Sequence, residues 1–297
     1  LKSDLTEITM SMMKDMVNSL DGRQAVVPLS AGNDSRLIVS LLKELNYKDV
    51  HCISYGLKGN FEAKTAQLVA ERLGYKWTFV PLTIKSQKQK FSQQSYNDYL
   101  SFCDTYTNVP VSVDYSVINF IKNNKIVNDD AIIINGNSGD FISGAHISSY
   151  MPQGCKHDAD TMISNYIDKH YSLWKCLKTE GNIKMISSQL KSYVNDIMEE
   201  SDLPLDLLWA VGENMEWIGR QTKLVSSTQR SYEFHGYEWR LPLWDPVFMD
   251  FWEGVPYKHK NNQKIYKDML FENNWGDVWR NIDVNDYKIS SSYLTIF

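Results

Sequence analysis

Two short stretches of this chain have the residue types to hold a phosphate. In the first, residues 26–35 read VVPLSAGNDS and run into RLIVSLLKEL. An apolar run stops at Ser30, small and polar residues follow, and Leu37, Ile38, Leu41, Leu42 and Leu45 then recur at helical spacing. A strand, a tight loop and a helix N-terminus in that order aim unpaired backbone N–H groups and the positive end of the helix dipole at an anion. Gly32 allows a close backbone approach, Asn33 lies in the same loop, and Ser30 and Ser35 supply hydroxyls. Asp34 adds a carboxylate able to hold a magnesium ion beside the phosphate. A plain turn, with Asp34 or Ser35 capping the helix, accounts for the same residues. No lysine follows Gly32 to complete a Lys-Ser/Thr phosphate loop, and a single glycine does not make Gly-x-Gly-x-x-Gly.

The second stretch is Gly136, Asn137, Ser138, Gly139 and Asp140, directly after the apolar AIIIN at 131–135. Small residues again end in an acid behind a buried strand. At one sheet edge, the two loops place Asp34 and Asp140 on one cavity. Magnesium suits that pair, because it takes one or two carboxylates together with phosphate oxygens. A surface turn with an Asp cap is the alternative.

The elements that must position these loops alternate. Strand patterns lie at 25–29, 50–55, 77–82 and 131–135, and helical patterns at 35–46, 61–73, 87–102 and 114–123, with Gly74 ending the second of these. Residues 1–20 form an amphipathic helix whose Met stripe packs into a core. This order predicts an α/β fold, a parallel doubly wound sheet with helices on both faces. Ligands of such sheets bind outside the carboxyl ends of the strands. Beyond about residue 148 the strand signal fades, and helices follow near 158–177, 182–200, 204–231, 245–252 and 262–271. The chain is therefore expected to divide into an α/β part at 1–150 and a mainly helical part at 151–297, packed tightly on it.

Bulk properties exclude several classes. The 297 residues carry a formal charge of −5 and are 43% hydrophobic, which fits a well-cored globule and opposes a nucleic-acid surface. The lysines of 85–90 and of 258–267 are solvated faces in this reading. Cys52, Cys103, Cys155 and Cys176 make no C-x-x-C pair, so free thiols in a reducing cytoplasm are expected. No apolar stretch is long enough to span a membrane, and the acidic residues of 1–20 do not suit a signal peptide. The chain starts at Leu1, which leaves room for an upstream domain. Trp209, Trp217, Trp239, Trp244 and Trp252 gather in the helical half and are read as core, with stacking on a sugar ring as the alternative.

Four segments together resemble the synthetase domain of the asparagine synthetase family, which includes the β-lactam synthetases. They are PLSAGNDSRLI, HCISYGLKGNFEAKTAQLVAERLGY, INGNSGDFISGAH and YEWRLPLWDPVFMDFWEGVPYKHK. The first is similar to the pyrophosphatase loop Ser-Gly-Gly-x-Asp-Ser, with Ala31 at its first glycine. The resemblance implies an adenine-nucleotide α-hydrolase-like fold with a C-terminal helical subdomain. It implies ATP and Mg2+, a small-molecule carboxylate substrate that is adenylated with release of pyrophosphate, and an amide product. Carried over by position, Ser30, Gly32, Asn33, Asp34 and Ser35 hold the phosphates, and Asp34 and Asp140 hold the metal. The backbones of Leu29 and Tyr55 line the adenine, and Gly136 and Asn137 sit near the ribose and α-phosphate. Lys267 contacts pyrophosphate, with Lys264 its rival. Arg240, Trp244 and Asp245 are expected to tie the helical part to the sheet through an ion pair.

Besides Ala31, this chain departs from the family at three places, one of them Phe141, which stands where the third motif has a later acid. A glutamate that is a candidate base toward the amine is Asn137 here, and an amide cannot take that proton. The family's late catalytic lysine has Lys288 as its nearest counterpart. The first cysteine is Cys52 inside a strand, so the chain holds no N-terminal cysteine nucleophile of a glutaminase. The nitrogen then comes as free ammonia, from a separate glutaminase, or from another amine. A uronic or sugar acid of surface polysaccharide biosynthesis is the acceptor suggested by analogy. Internal ring closure to a lactam, and a nucleotide-binding subunit without turnover, are the competing expectations.

Overall fold

The computed structural model describes residues 1–152, 158–200 and 204–284. Lys288 and Cys155 lie outside them. Five strands, β1 (Ala25–Pro28), β2 (Val50–Gly56), β3 (Lys76–Pro81), β4 (Ile132–Ile134) and β5 (Glu238–Arg240), form one sheet in the order β3-β2-β1-β4-β5. Every pairing is parallel, with Val26 opposite His51 on one side and Ile133 on the other. The expected α/β parallel sheet is present. Successive β1 side chains point to opposite faces. Val27 joins a core with Leu5, Leu37, Leu41, Val69 and Trp252, and Val26 joins a second core with Ile53, Val117, Ile118 and Ile133.

The chain runs from β1 to β2 on one side and returns to β4 on the other. That reversal opens a crevice beyond the carboxyl ends of β1 and β4, where such sheets bind ligands. The Asn33–Glu44 helix begins there after β1, and a short helix, Gly139–Ile142, begins there after β4.

Several local expectations hold. Met12, Met13 and Met16 are buried, and Gly74 ends the Phe61–Leu73 helix with φ +74°. Others need correction. The 87–102 helix is two helices, Ile84–Phe91 and Gln94–Cys103, the first started by a Thr83–Ser86 capping box. The 204–231 helix is a chain of shorter ones, and Trp217–Val225 is π-helical. The second half also supplies a strand. Three residues at a sheet edge, Glu238-Trp239-Arg240, are too few for an alternating pattern, and their flanking charges mark a protected edge. Arg240 pairs with Glu238 and bonds Ser19, while Asp245 caps the Pro246–Glu253 helix, so the expected ion pair does not form between them.

Trp252 and Trp209 are buried in the main core and in the core of the helical part, in line with the core reading. Among the described residues the free cysteines are Cys52, Cys103 and Cys176, and no helix is long and apolar enough to cross a membrane.

Candidate active site at the carboxyl edge of the sheet

The loop after β1 is organised by its own hydroxyls. Ser35 Oγ accepts from the Ser30 N–H at 3.1 Å and lies 3.2 Å from Ser30 Oγ, which in turn accepts from the Gly32 N–H. Ala31 is fully buried and its φ is not in the left-handed region, so its methyl group is tolerated where a relative has glycine. Asp34 does not cap its helix. Its Oδ2 accepts from the Asp140 backbone N–H at 2.8 Å, and its Oδ1 accepts from the Tyr266 hydroxyl at 3.0 Å.

The loop after β4 presses against this helix start. A Cβ on Gly136 would stand 2.8 Å from the Ser35 nitrogen, and one on Gly139 would stand 2.5 Å from Asp34 Cγ. Only glycine permits that approach. Ser138 adopts φ +71° and donates from Oγ to Gln221 Oε1, which fastens the loop to the π-helical segment.

Both loops open on one cavity of about 610 Å3. Ser30, Gly32, Asn33, Asp34, Ser35, Tyr55, Gly136, Asn137 and Asp140 line it. Leu29 does not. Its N–H donates to Ile53 and its carbonyl accepts from Ser54 Oγ, so β2 consumes both backbone groups. Lys264 and Lys267 also lie off the wall. Lys264 pairs with Asp268 on the surface, and Lys267 lines a neighbouring crevice that shares Asn33 and Val284 with the cavity.

Burial, and then the negative charge of Asp140, push the Asp34 carboxyl up to about 7. Burial acts on Asp140 in the same sense, but the hydrogen bond and charge of His146, the Phe141 N–H and the charge of Arg220 together outweigh it and hold that carboxyl below its ordinary value. The Asp140 side chain is 54% exposed to the cavity, so its carboxylate is open to a ligand. A divalent cation between the two acids would relieve the repulsion that raises Asp34, and oxygen donors of this kind suit magnesium. No group of three or more metal-ligating side chains occurs among the described residues, so phosphate oxygens and water would complete its shell.

Sequence reasoning missed the charges behind Asp140. His146 Nε2 lies 3.1 Å from Asp140 Oδ2, and its Nδ1 lies 2.6 Å from Glu216 Oε1. With a carboxylate on each ring nitrogen, both nitrogens donate and the ring is an imidazolium. Burial opposes that charge, but the bonds to Asp140 and Glu216 prevail and raise the His146 pKa. Glu216 is fully buried, and Lys169 donates to its Oε2 at 2.7 Å. Arg220, Gln221, Leu224, Val225 and Thr228 line the cavity from one face of the π-helical segment and its continuation. Asp114 lines the wall near Tyr55 and Tyr232. His146 closes the INGNSGDFISGAH segment, but the others belong to no short motif, and only the folded chain reveals the grouping.

The sequence model of the asparagine synthase family matches residues 20–272. No curated protein matches the chain. Among solved structures, the NH3-dependent NAD synthetase from Campylobacter jejuni subsp. jejuni NCTC 11168, in complex with the nitrate ion, aligns with a TM-score of 0.35 and 12% identity. That alignment covers 77% of this chain and 96% of the other. A similarity of that size adds nothing to the site.

Proposed function

The chain belongs to the asparagine synthase family and so to the ATP-dependent amide-forming ligases, and on that premise we propose that it adenylates a small-molecule carboxylate and passes the acyl group to an amine. The observation that carries this reading is the meeting of Asp34 and Asp140 on one cavity beside a helix N-terminus.

The triphosphate lies against the Ser30–Ser35 loop, whose backbone N–H groups and hydroxyls receive its oxygens. A substrate carboxylate oxygen attacks the α-phosphorus, the bond from that phosphorus to the bridging oxygen breaks, and pyrophosphate leaves with the electron pair. The nitrogen of ammonia or an amine then attacks the acyl carbon, AMP departs, and one proton is given up. Magnesium held by Asp34 and Asp140 supplies neutralising charge to the phosphates. The Gly136 and Asn137 backbones lie by the ribose and α-phosphate, and Tyr55 lies by the base. Lys288 supplies a late cation. The acceptor is a uronic or sugar acid of surface polysaccharide, and the nitrogen is free ammonia or comes from a separate glutaminase in the cytoplasm.

Asn137 favours a second reading. Lacking a carboxylate at that position, the site suits intramolecular ring closure, where the amine is already held in place. A subunit that binds nucleotide without turnover is the remaining reading.

The test is exchange of labelled pyrophosphate into ATP, with a panel of sugar acids as acceptors and mass spectrometry of the products. Acid-dependent exchange that Asp34→Ala abolishes supports ligation. An amidated product indicates transfer to ammonia, and loss of water within one molecule indicates cyclisation. Exchange at the wild-type level in Asp34→Ala would overturn the assignment.

A further inference from the structure

A polyphosphate that carries several negative charges needs positive charge on the wall that holds it, and the lysines expected to provide it lie off the cavity. Among the described residues, the cationic side chain on that wall is Arg220. Its position follows from the local helix geometry. Trp217–Val225 is π-helical, and residues 220, 221, 224, 225 and 228 all line the cavity. π-Helical turns are rare and recur at functional sites. Gln221, the next residue, accepts from Ser138 Oγ at 2.8 Å, so the same turn is fastened to the loop that ends in Asp140.

Arg220 is also held from behind. Its Nη1 stands 3.8 Å from Oε1 of the fully buried Glu216, the same oxygen that faces His146. One buried carboxylate therefore backs two cations on the Asp140 side of the cavity. The Arg220 side chain remains 38% exposed, and its charge acts on Asp140, helping to keep that carboxyl ionised. A planar guanidinium presents parallel N–H groups that match phosphate oxygens two at a time.

We propose that Arg220, backed by Glu216, binds the β- and γ-phosphates of ATP and stabilises the charge on departing pyrophosphate. This rests on the ATP-dependent ligase reading above and adds to it the residue that holds the leaving group.

The experiment compares wild type, Arg220→Ala and Arg220→Lys by calorimetric titration with ATP and with AMP, each with magnesium. Melting curves for all three confirm folding. Loss of one charge-assisted contact predicts that Arg220→Ala weakens ATP about 10- to 100-fold and leaves AMP nearly unchanged. The lysine variant recovers part of the loss. Wild-type ATP affinity in Arg220→Ala, or equal losses for ATP and AMP, would overturn the proposal. Failure of wild type itself to bind ATP would instead count against the ligase reading.

Discussion

The backbone N–H of Asp140 donates to Oδ2 of Asp34 at 2.8 Å, across 106 positions of sequence. The contact fixes the loop after β4 against the helix after β1, so the Asp34 carboxylate is placed by the Asp140 backbone. Neither loop alone defines the geometry.

Gly139 is the point where that contact is tightest. An added Cβ would lie 2.5 Å from Asp34 Cγ and 2.6 Å from Leu243 Cδ1, so Gly139→Ala must displace the Asp34 carboxylate. Overpacking of this kind costs about 1–3 kcal/mol. We expect a lowered melting temperature and a loss of magnesium-dependent ATP affinity that exceeds any loss for AMP. Calorimetry with and without magnesium checks this. An unaltered melt and an unaltered magnesium dependence together would show that the two loops are not mutually constrained.

Glu216 offers a second prediction. Its carboxylate is fully buried, with His146, Lys169, His170 and Arg220 around it. Burial opposes its ionisation, but the bonds from His146 and Lys169, together with the positive charge beside them, outweigh that and depress its pKa. Removing one partner of a buried charged group leaves the others uncompensated, at a cost of about 3–5 kcal/mol. A depressed acid stabilises the fold above its unfolded pKa, and that contribution is lost as pH falls through the folded value. The melting difference between wild type and Glu216→Gln should therefore be large at pH 7 and shrink below about pH 4. A difference that stays constant down to pH 3 would mean that the carboxylate is not held by these cations.

The loops that carry Asp34 and Asp140 were legible because each is a short polar run directly behind an apolar strand, and because the rule for open α/β sheets places both at one edge. The Gly74 cap and the Met12–Met13–Met16 stripe were legible for similar local reasons. What escaped depends on tertiary packing. β5 has three residues and no alternation to detect. His146 ends the segment that begins at β4 but nothing in its type marks a partner for Asp140, while Glu216 and Arg220 sit in a segment whose pattern reports only helix, and the π-helical stretch that holds Arg220 has no compositional signature. Leu29 lies on the motif, yet β2 takes both its backbone groups, which only strand pairing could reveal. Lys264 and Lys267 were assigned by position along the sequence, and the turn of their helix sends them to other surfaces.

Asp114 carries the last prediction. It lines the cavity with Val111, Val117 and Ile118, and no hydrogen bond to its carboxyl occurs among the described residues. Burial alone pushes this carboxyl up to about 7 from its ordinary 3.8. A raised acid is protonated more readily in the folded state than in the unfolded one. Below the unfolded value both states are neutral and the group costs nothing. As pH rises through 3.8 toward 7 the unfolded chain ionises first, and folding then bears a growing cost that is complete above 7. Asp114→Asn keeps the shape and removes the charge. The variant should therefore be more stable than wild type at pH 8, on the order of 1–2 kcal/mol after allowing for screening by water in the cavity, and equal to it at about pH 3. Denaturant titrations at the two pH values measure this directly. A stabilisation of the same size at both, or none at pH 8, would show that the carboxyl ionises normally and already has a partner in solution.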